Sequence, residues 1–209
     1  MSLPKFTDEE LRAALLEAWR ADAPHVERLT AASAVLIHAL GQAGMRATLV
    51  GGGAIEFHAP GGYSTTDIDF VVEGWPREVI GRVLLSLGFK THGRLWVLDD
   101  LFVEAPGSSL EGRVVETYPV GPFELRVLKK EHVLADRIVG FRRWQTWAYG
   151  IQAIDMMAAF GDDLDEDFLR VWLRKEGSEH ALDLLREIAA SGVEVTFHEM
   201  DRRWHQNYR

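Results

Sequence analysis

Apolar residues recur at helical spacing from the start of the chain. In "TDEELRAALLEAWRA", Leu11, Leu15, Leu16 and Trp19 fall on one helical stripe, and Thr7 and Glu10 stand at capping-box spacing. "HVERLTAASAVLIHALGQAG" predicts a second helix that ends near Gly44. The period then changes. "RATLV" reads as a short strand running into Gly51, Gly52 and Gly53, and "GGAIEFHA" as a short helix broken at Pro60-Gly61-Gly62. "DIDFVVE" predicts a strand, and "PREVIGRVLLSLGF" a helix with Pro76 near its first turn. "RLWVL" and "LFVEA" are strand-like around a tight turn at Asp99-Asp100, and "RVVETYPV" and "FELRVL" around Gly121-Pro122. From Glu131 onward "EHVLADRIVGFRRW", "AYGIQAIDMMAAF", "DEDFLRVWLRK" and "SEHALDLLREIAAS" are helical. The pattern predicts an α/β (α+β) region over residues 1–128, including its N-terminal helices, and a mostly helical region over residues 129–209.

Composition narrows the function classes. With 209 residues the chain can bury one substantial core with a helical appendage. No apolar run approaches the length needed to cross a bilayer, and the N-terminal stretch has no apolar signal core. Cysteine is absent, which excludes disulfides and thiolate metal sites and sets the expectation of a cytoplasmic protein. A net charge of −9 argues against general nucleic-acid binding, which depends on Lys and Arg neutralising phosphates. The candidate basic patches are "RIVGFRRW" (Arg137, Arg142, Arg143) and the tail "DRRWHQNYR".

Two acids interrupt the apolar run "LVGGGAIEFHAPGGYSTTDIDFVV". In a strand alternate side chains share a face, so Asp67 and Asp69 project together while Ile68 and Phe70 face the other way. Neighbouring carboxylates repel. The pair is tolerable if one is protonated, if basic groups answer it, or if a divalent cation lies between them; Asp oxygens suit Mg²⁺ held together with substrate phosphates. Upstream, Gly51, Gly52 and Gly53 carry a strand into a helix start, where bare backbone N–H groups let a phosphate approach. A phosphate cradle beside an acidic metal site is what phosphoryl transfer requires. The spacing matches neither a Walker A loop nor a dinucleotide fingerprint.

Val50-Gly51-Gly52 followed by Asp67-Ile68-Asp69-Phe70, with fourteen residues between Gly52 and Asp67, resembles the signature of the DNA polymerase β-like nucleotidyltransferase superfamily. The resemblance covers roughly residues 45–130. It is nearest to the bacterial minimal and abortive-infection-type nucleotidyltransferases, some of which act as toxins or antitoxins. It implies a small mixed sheet with flanking helices, a glycine turn that holds an NTP triphosphate, and Mg²⁺ (or Mn²⁺) on Asp67, Asp69 and a third carboxylate. Glu104 in "LFVEAPG" ranks first for that third position, with Glu116 and Glu124 as rivals. The implied reaction moves a nucleoside monophosphate to an acceptor hydroxyl of a small molecule, a protein or an RNA end, with pyrophosphate released.

One departure stands out. Many relatives place an Arg shortly before the acidic pair, whereas this chain has "GGYSTT". Ser64 and Thr65 offer phosphate-binding hydroxyls there, and Arg94, Lys129 and Arg137 are the sources considered for the missing charge. Two other readings compete with transfer: a catalytically silent binding module, such as an antitoxin or a subunit that binds a partner protein, and a metal-dependent hydrolase. Outside the site, His58 is expected to be structural, and the histidines show no zinc-ligand spacing. Trp144, Trp147 and Trp172 are expected to build the core of the helical region, with base stacking by Trp144 or Trp147 as the minority reading. "GDDLDEDF" reads as a helix N-cap.

Overall fold

The computed structural model describes residues 4–61, 63–192 and 195–207. Gly62 of the predicted helix break, and Tyr208 and Arg209 of the basic tail, lie outside the described residues. The chain forms two compact units, Met1–Lys129 and Lys130–Arg209.

The first unit contains α1 (Asp8–Arg20), α2 (His25–Gln42), β1 (Ala47–Val50), α3 (Gly51–His58), β2 (Asp67–Val72), α4 (Arg77–Ser86), β3 (Lys90–His92), β4 (Leu95–Leu98), β5 (Leu101–Gly107), β6 (Val115–Val120) and β7 (Phe123–Leu128). The capping box forms as the spacing predicts: Glu10 N donates to Thr7 Oγ1 at 3.2 Å and Thr7 N to Glu10 Oε2 at 2.7 Å. The strands make one mixed sheet in the order β3-β4-β5-β2-β1-β7-β6. β2 runs parallel to β5 and antiparallel to β1. Both predicted hairpins are present, and Asp99 at the first carries φ 53°, a left-handed conformation that a short polar side chain tolerates.

Alternation decides which residues fill the core. Leu49, Ile68, Phe70, Trp96, Val103, Leu125 and Val127 are all buried. α2 packs over β1 and β7, and α4 brings Gly81 against the Trp96 indole. α1 adds Leu11 and Leu15 against α2. Asp67 and Asp69, one residue out of phase with Ile68 and Phe70, face away from this helical layer.

The second unit consists of α5 (Lys130–Trp144), α6 (Trp147–Phe160), a 3₁₀ turn (Gly161–Asp163), α7 (Glu166–Lys175), α8 (Glu179–Ala190) and α9 (Phe197–Asn207). Ile138, Phe141, Leu169, Leu173, Leu182, Leu185, Met200 and Trp204 are buried. Asp165 caps α7 by accepting from Phe168 N at 3.0 Å, as the acidic run suggests. Trp147 packs on Phe141 and Trp204, and Trp172 on His132.

Two expectations need correction here. Trp144 is no core residue: it stands 68% exposed at the end of α5, where the next turn is broken at Gln145. The candidate basic segments are partly neutralised. Arg143 pairs with Glu176, Arg202 with Glu199, and Arg203 with Glu199 and Glu187, while Arg137 lies over the Tyr149 ring. α9 is an element that the pattern does not predict: its charge conceals the helical spacing of Phe197, Met200 and Trp204.

Candidate functional site

The acidic pair opens β2. β2 pairs with β5 in a register that sets Asp67 opposite Phe102 and Asp69 opposite Glu104. Partners in register share a face, so Glu104 comes to the same side as both aspartates. One ligand oxygen from each of Asp67, Asp69 and Glu104 lies within 4.8 Å of the others. All three residues are half-buried. Among the described residues this is the one acidic or histidine cluster of its kind. Glu116 and Glu124 are not part of it. Glu116 sits on β6 opposite Val127, on the face of the core, and Glu124 is exposed at the start of β7.

Three negative groups at such range destabilise one another in the absence of a counter-charge. Arg94, an arginine otherwise in solvent, brings its Nε to 3.4 Å from Glu104 Oε1. Arg94, one of the residues considered for the missing positive charge, therefore stands at the site. The donor set, three hard carboxylate oxygens able to converge on one point, fits a divalent cation such as Mg²⁺ or Mn²⁺.

The glycine turn abuts the carboxylates. Gly51 opens α3 with φ +60°, and a methyl group there would land on Asp69 Oδ2. At Gly52 it would stand 2.7 Å from Thr65 Oγ1 and 3.0 Å from Tyr63 Cε1. Gly51 lets Asp69 close on the helix start, and Gly52 lets the segment before β2 close on it. Gly53 is different: it is buried against Leu49, a packing contact. Ser64 is exposed. Thr65 is only 3% exposed, and its hydroxyl donates to Asp67 Oδ1 at 2.7 Å.

Behind Thr65 lies a residue that the sequence reading missed. Glu56 on α3 is 4% exposed. Its Oε2 accepts from Thr65 N at 3.0 Å, and its Oε1 meets His25 Nδ1 at 2.8 Å. His25, Glu56, Thr65 and Asp67 thus form a hydrogen-bonded line from α2 to the acidic cluster. The signal was available, since Glu56 is a lone acid in the apolar run "GGAIEFHA". His58 is structural as expected, with Nε2 at 2.8 Å from the Leu128 carbonyl oxygen.

The architecture can now be placed among known structures. It is similar to that of an antigenic nucleotidyltransferase-like protein from Paracoccidioides brasiliensis, with TM-score 0.51 and 14% identity over 74% of this chain and 92% of that one. The chain has the nucleotidyltransferase fold. Two structures of ANT(2")-Ia are also similar. One, in complex with adenylyl-2"-tobramycin, gives TM-score 0.49 and 14% identity over 67% of this chain and 93% of that one. The other, a solution structure of that antibiotic-resistance factor, gives TM-score 0.48 and 15% identity over 85% and 97%. None of the three bears on the toxin or antitoxin roles that accompany the sequence resemblance. No protein-family model and no curated protein matches the sequence. No helix among the described residues is long and apolar enough to cross a membrane.

Proposed function

We propose that the protein is a metal-dependent nucleotidyltransferase. It would move a nucleoside monophosphate from an NTP to an acceptor hydroxyl. The observation that carries this reading is the convergence of Asp67, Asp69 and Glu104 beside the positive-φ glycine turn, on a nucleotidyltransferase fold.

Asp67, Asp69 and Glu104 would hold Mg²⁺ or Mn²⁺, which when bound neutralises phosphate charge at the reacting phosphorus. The backbone at Gly51 and Gly52, with the exposed Ser64 hydroxyl, receives the triphosphate. Thr65 keeps Asp67 oriented through the hydrogen bond it already makes, rather than spending its hydroxyl on phosphate. In the transfer, the acceptor oxygen bonds to the α-phosphorus, the bond from that phosphorus to the α–β bridging oxygen breaks, and pyrophosphate departs. The hydroxyl proton passes to Glu104, the carboxylate on the β5 side of the site. Arg94 sits where it can offset negative charge at Glu104.

The test is calorimetric titration of the four NTPs, with and without Mg²⁺, into the wild type and Asp69→Asn. Metal-dependent binding that disappears in the variant supports a working nucleotide site. No binding of any NTP to the wild type would remove the basis for transfer and favour a silent binding module.

A further inference from the structure

The transfer reading leaves the chemistry of the acceptor open, and a pocket on the same unit narrows it. A cavity of about 720 Å³ lies at the β3–β4–β5 end of the sheet. Its lining includes Arg12, Lys90, His92, Val97, Asp99 and Phe102. Register ties it to the acidic cluster: Asp67 stands opposite Phe102, Phe102 opposite Val97, and Val97 opposite Lys90. Residues opposite one another share a face, so this row runs from the first catalytic carboxylate into the pocket without changing sides. At about 4.8 Å per strand, the Lys90 backbone lies about 14 Å from that of Asp67.

The pocket has the opposite charge from the site beside it. Among the described residues no ion pair joins Arg12, Lys90 or His92 to a carboxylate, and the one acid in the lining, Asp99, is paired with Arg20. A chain of net charge −9 thus leaves two cations unanswered at one place. Lysine on an edge strand such as β3 also guards against strand addition, but that does not account for Arg12, which comes from α1. Arg12 is seated by a specific gap. Gly88 has φ +95°, and a Cβ there would lie 3.0 Å from both Cζ and Nε of the guanidinium. Any larger residue at 88 would push Arg12 off the pocket wall.

We propose that this pocket binds a phosphate group of the acceptor, so that the acceptor is a phosphorylated alcohol. The inference rests on the nucleotidyl-transfer reading for its choice of acceptor, although the pocket itself can be tested alone. A dianionic phosphate matches an arginine fork plus a lysine point charge. The Phe102 and Val97 side chains floor the space between, where the body of a sugar can lie. The acceptor hydroxyl then reaches Glu104 while its phosphate is anchored at Arg12 and Lys90. A small sugar phosphate supplies that dianion, and the last phosphodiester before an RNA 3′ end supplies the same acceptor oxygens with a single charge.

The experiment is an NMR titration of the full chain with ribose 5-phosphate, a short oligoribonucleotide ending in a free 3′ hydroxyl, and ribose. The expected result is that a phosphate-bearing probe binds about 10-fold or more tightly than ribose, with shifts at Lys90, His92 and Phe102. Arg12→Gln combined with Lys90→Gln is expected to abolish that preference, and Lys90→Arg to retain it; melting curves report that each variant is folded. Binding by ribose 5-phosphate assigns a small acceptor, and binding by the oligonucleotide alone assigns an RNA end. The proposal is overturned if neither phosphate probe exceeds ribose, or if the preference survives the double glutamine variant. Wild-type NTP titration separates the two claims: phosphate binding without NTP binding defeats the transfer reading and leaves the pocket standing, and the reverse result defeats only the pocket.

Discussion

The two units treat charge in opposite ways. In the helical unit most of the described arginines find a carboxylate. Arg170 bridges Glu166 and Asp183 at 2.9 and 3.0 Å, Arg186 returns to Glu166 at 2.8 Å, Arg174 holds Glu179, and Arg203 joins Glu187 to Glu199. In the α/β unit three carboxylates crowd one spot with Arg94 at one edge, and two cations stand unanswered in the neighbouring pocket. Balanced pairs fasten helices. Unbalanced clusters cost stability in the free protein and are consistent with ligands that supply the missing charge. On the proposed reading, metal and nucleotide would supply the charge missing at these places of the α/β unit, whose other arginines include paired ones such as Arg20 with Asp99 and Arg46 with Glu73.

The sharpest way to break the comparison is Asp69→Asn. If the cluster exists to hold a metal with a nucleotide, transfer falls on the order of 100-fold or more, because metal charge stabilisation is worth several kcal/mol. The metal-free melting temperature is expected to move far less than activity does. A melting temperature that drops sharply in step with activity would mark the cluster as structural.

Gly51→Ala ranks next. The added methyl meets Asp69 Oδ2, and alanine at φ +60° is strained by about 1–2 kcal/mol. Both a lower melting temperature and weakened Mg²⁺-dependent NTP binding are expected. Glu56→Ala strips the buried Thr65 amide of its acceptor, a loss of about 1–3 kcal/mol in denaturant unfolding. Because Thr65 also orients Asp67, metal affinity should weaken along with stability.

The helical unit supplies a smaller, pH-dependent effect. Hydrogen bonds from Arg202 and then Arg203 hold the Glu199 carboxyl down at about 2. Glu166 is lowered by Arg170 and Arg186, and Glu179 by Arg174. A depressed carboxylate pKa stabilises the fold above the unfolded value and loses that contribution as pH falls through the folded one. Wild type and Glu199→Gln should therefore differ most above pH about 4.5 and converge toward pH 2, as followed by circular dichroism across an acid series. Smallest of all is Glu179→Gln at neutral pH, since solvent screens an exposed pair and the melting temperature should barely move.

Legibility in the sequence followed physical signal strength. β2 was readable because two acids at strand spacing break an apolar run, and Glu104 because it sits between apolar neighbours in a strand-like segment. α4 through α8 carried clear periodicity. β3, the three exposed residues Lys90–His92, left no hydrophobic trace because an edge strand that short buries nothing. Trp144 misled because its type outweighed its position at a helix end. The acceptor-side pocket was invisible for a different reason: Arg12 and Lys90 are far apart along the chain and meet only through the fold.

The pairing of β2 with β5 has a consequence for how the gene can change length. Asp69 faces Glu104, yet two residues later Val71 faces Gly107, so β5 carries one extra residue at Ala105-Pro106. Upstream of that irregularity, a single-codon insertion or deletion between Leu101 and Glu104 would turn Glu104 into the core and bring an apolar neighbour out in its place. Downstream, the chain has already slipped phase and runs into the loop before β6, where a codon gained or lost need not reach the carboxylates. The same strand is thus intolerant of length change on one side of a proline and permissive on the other.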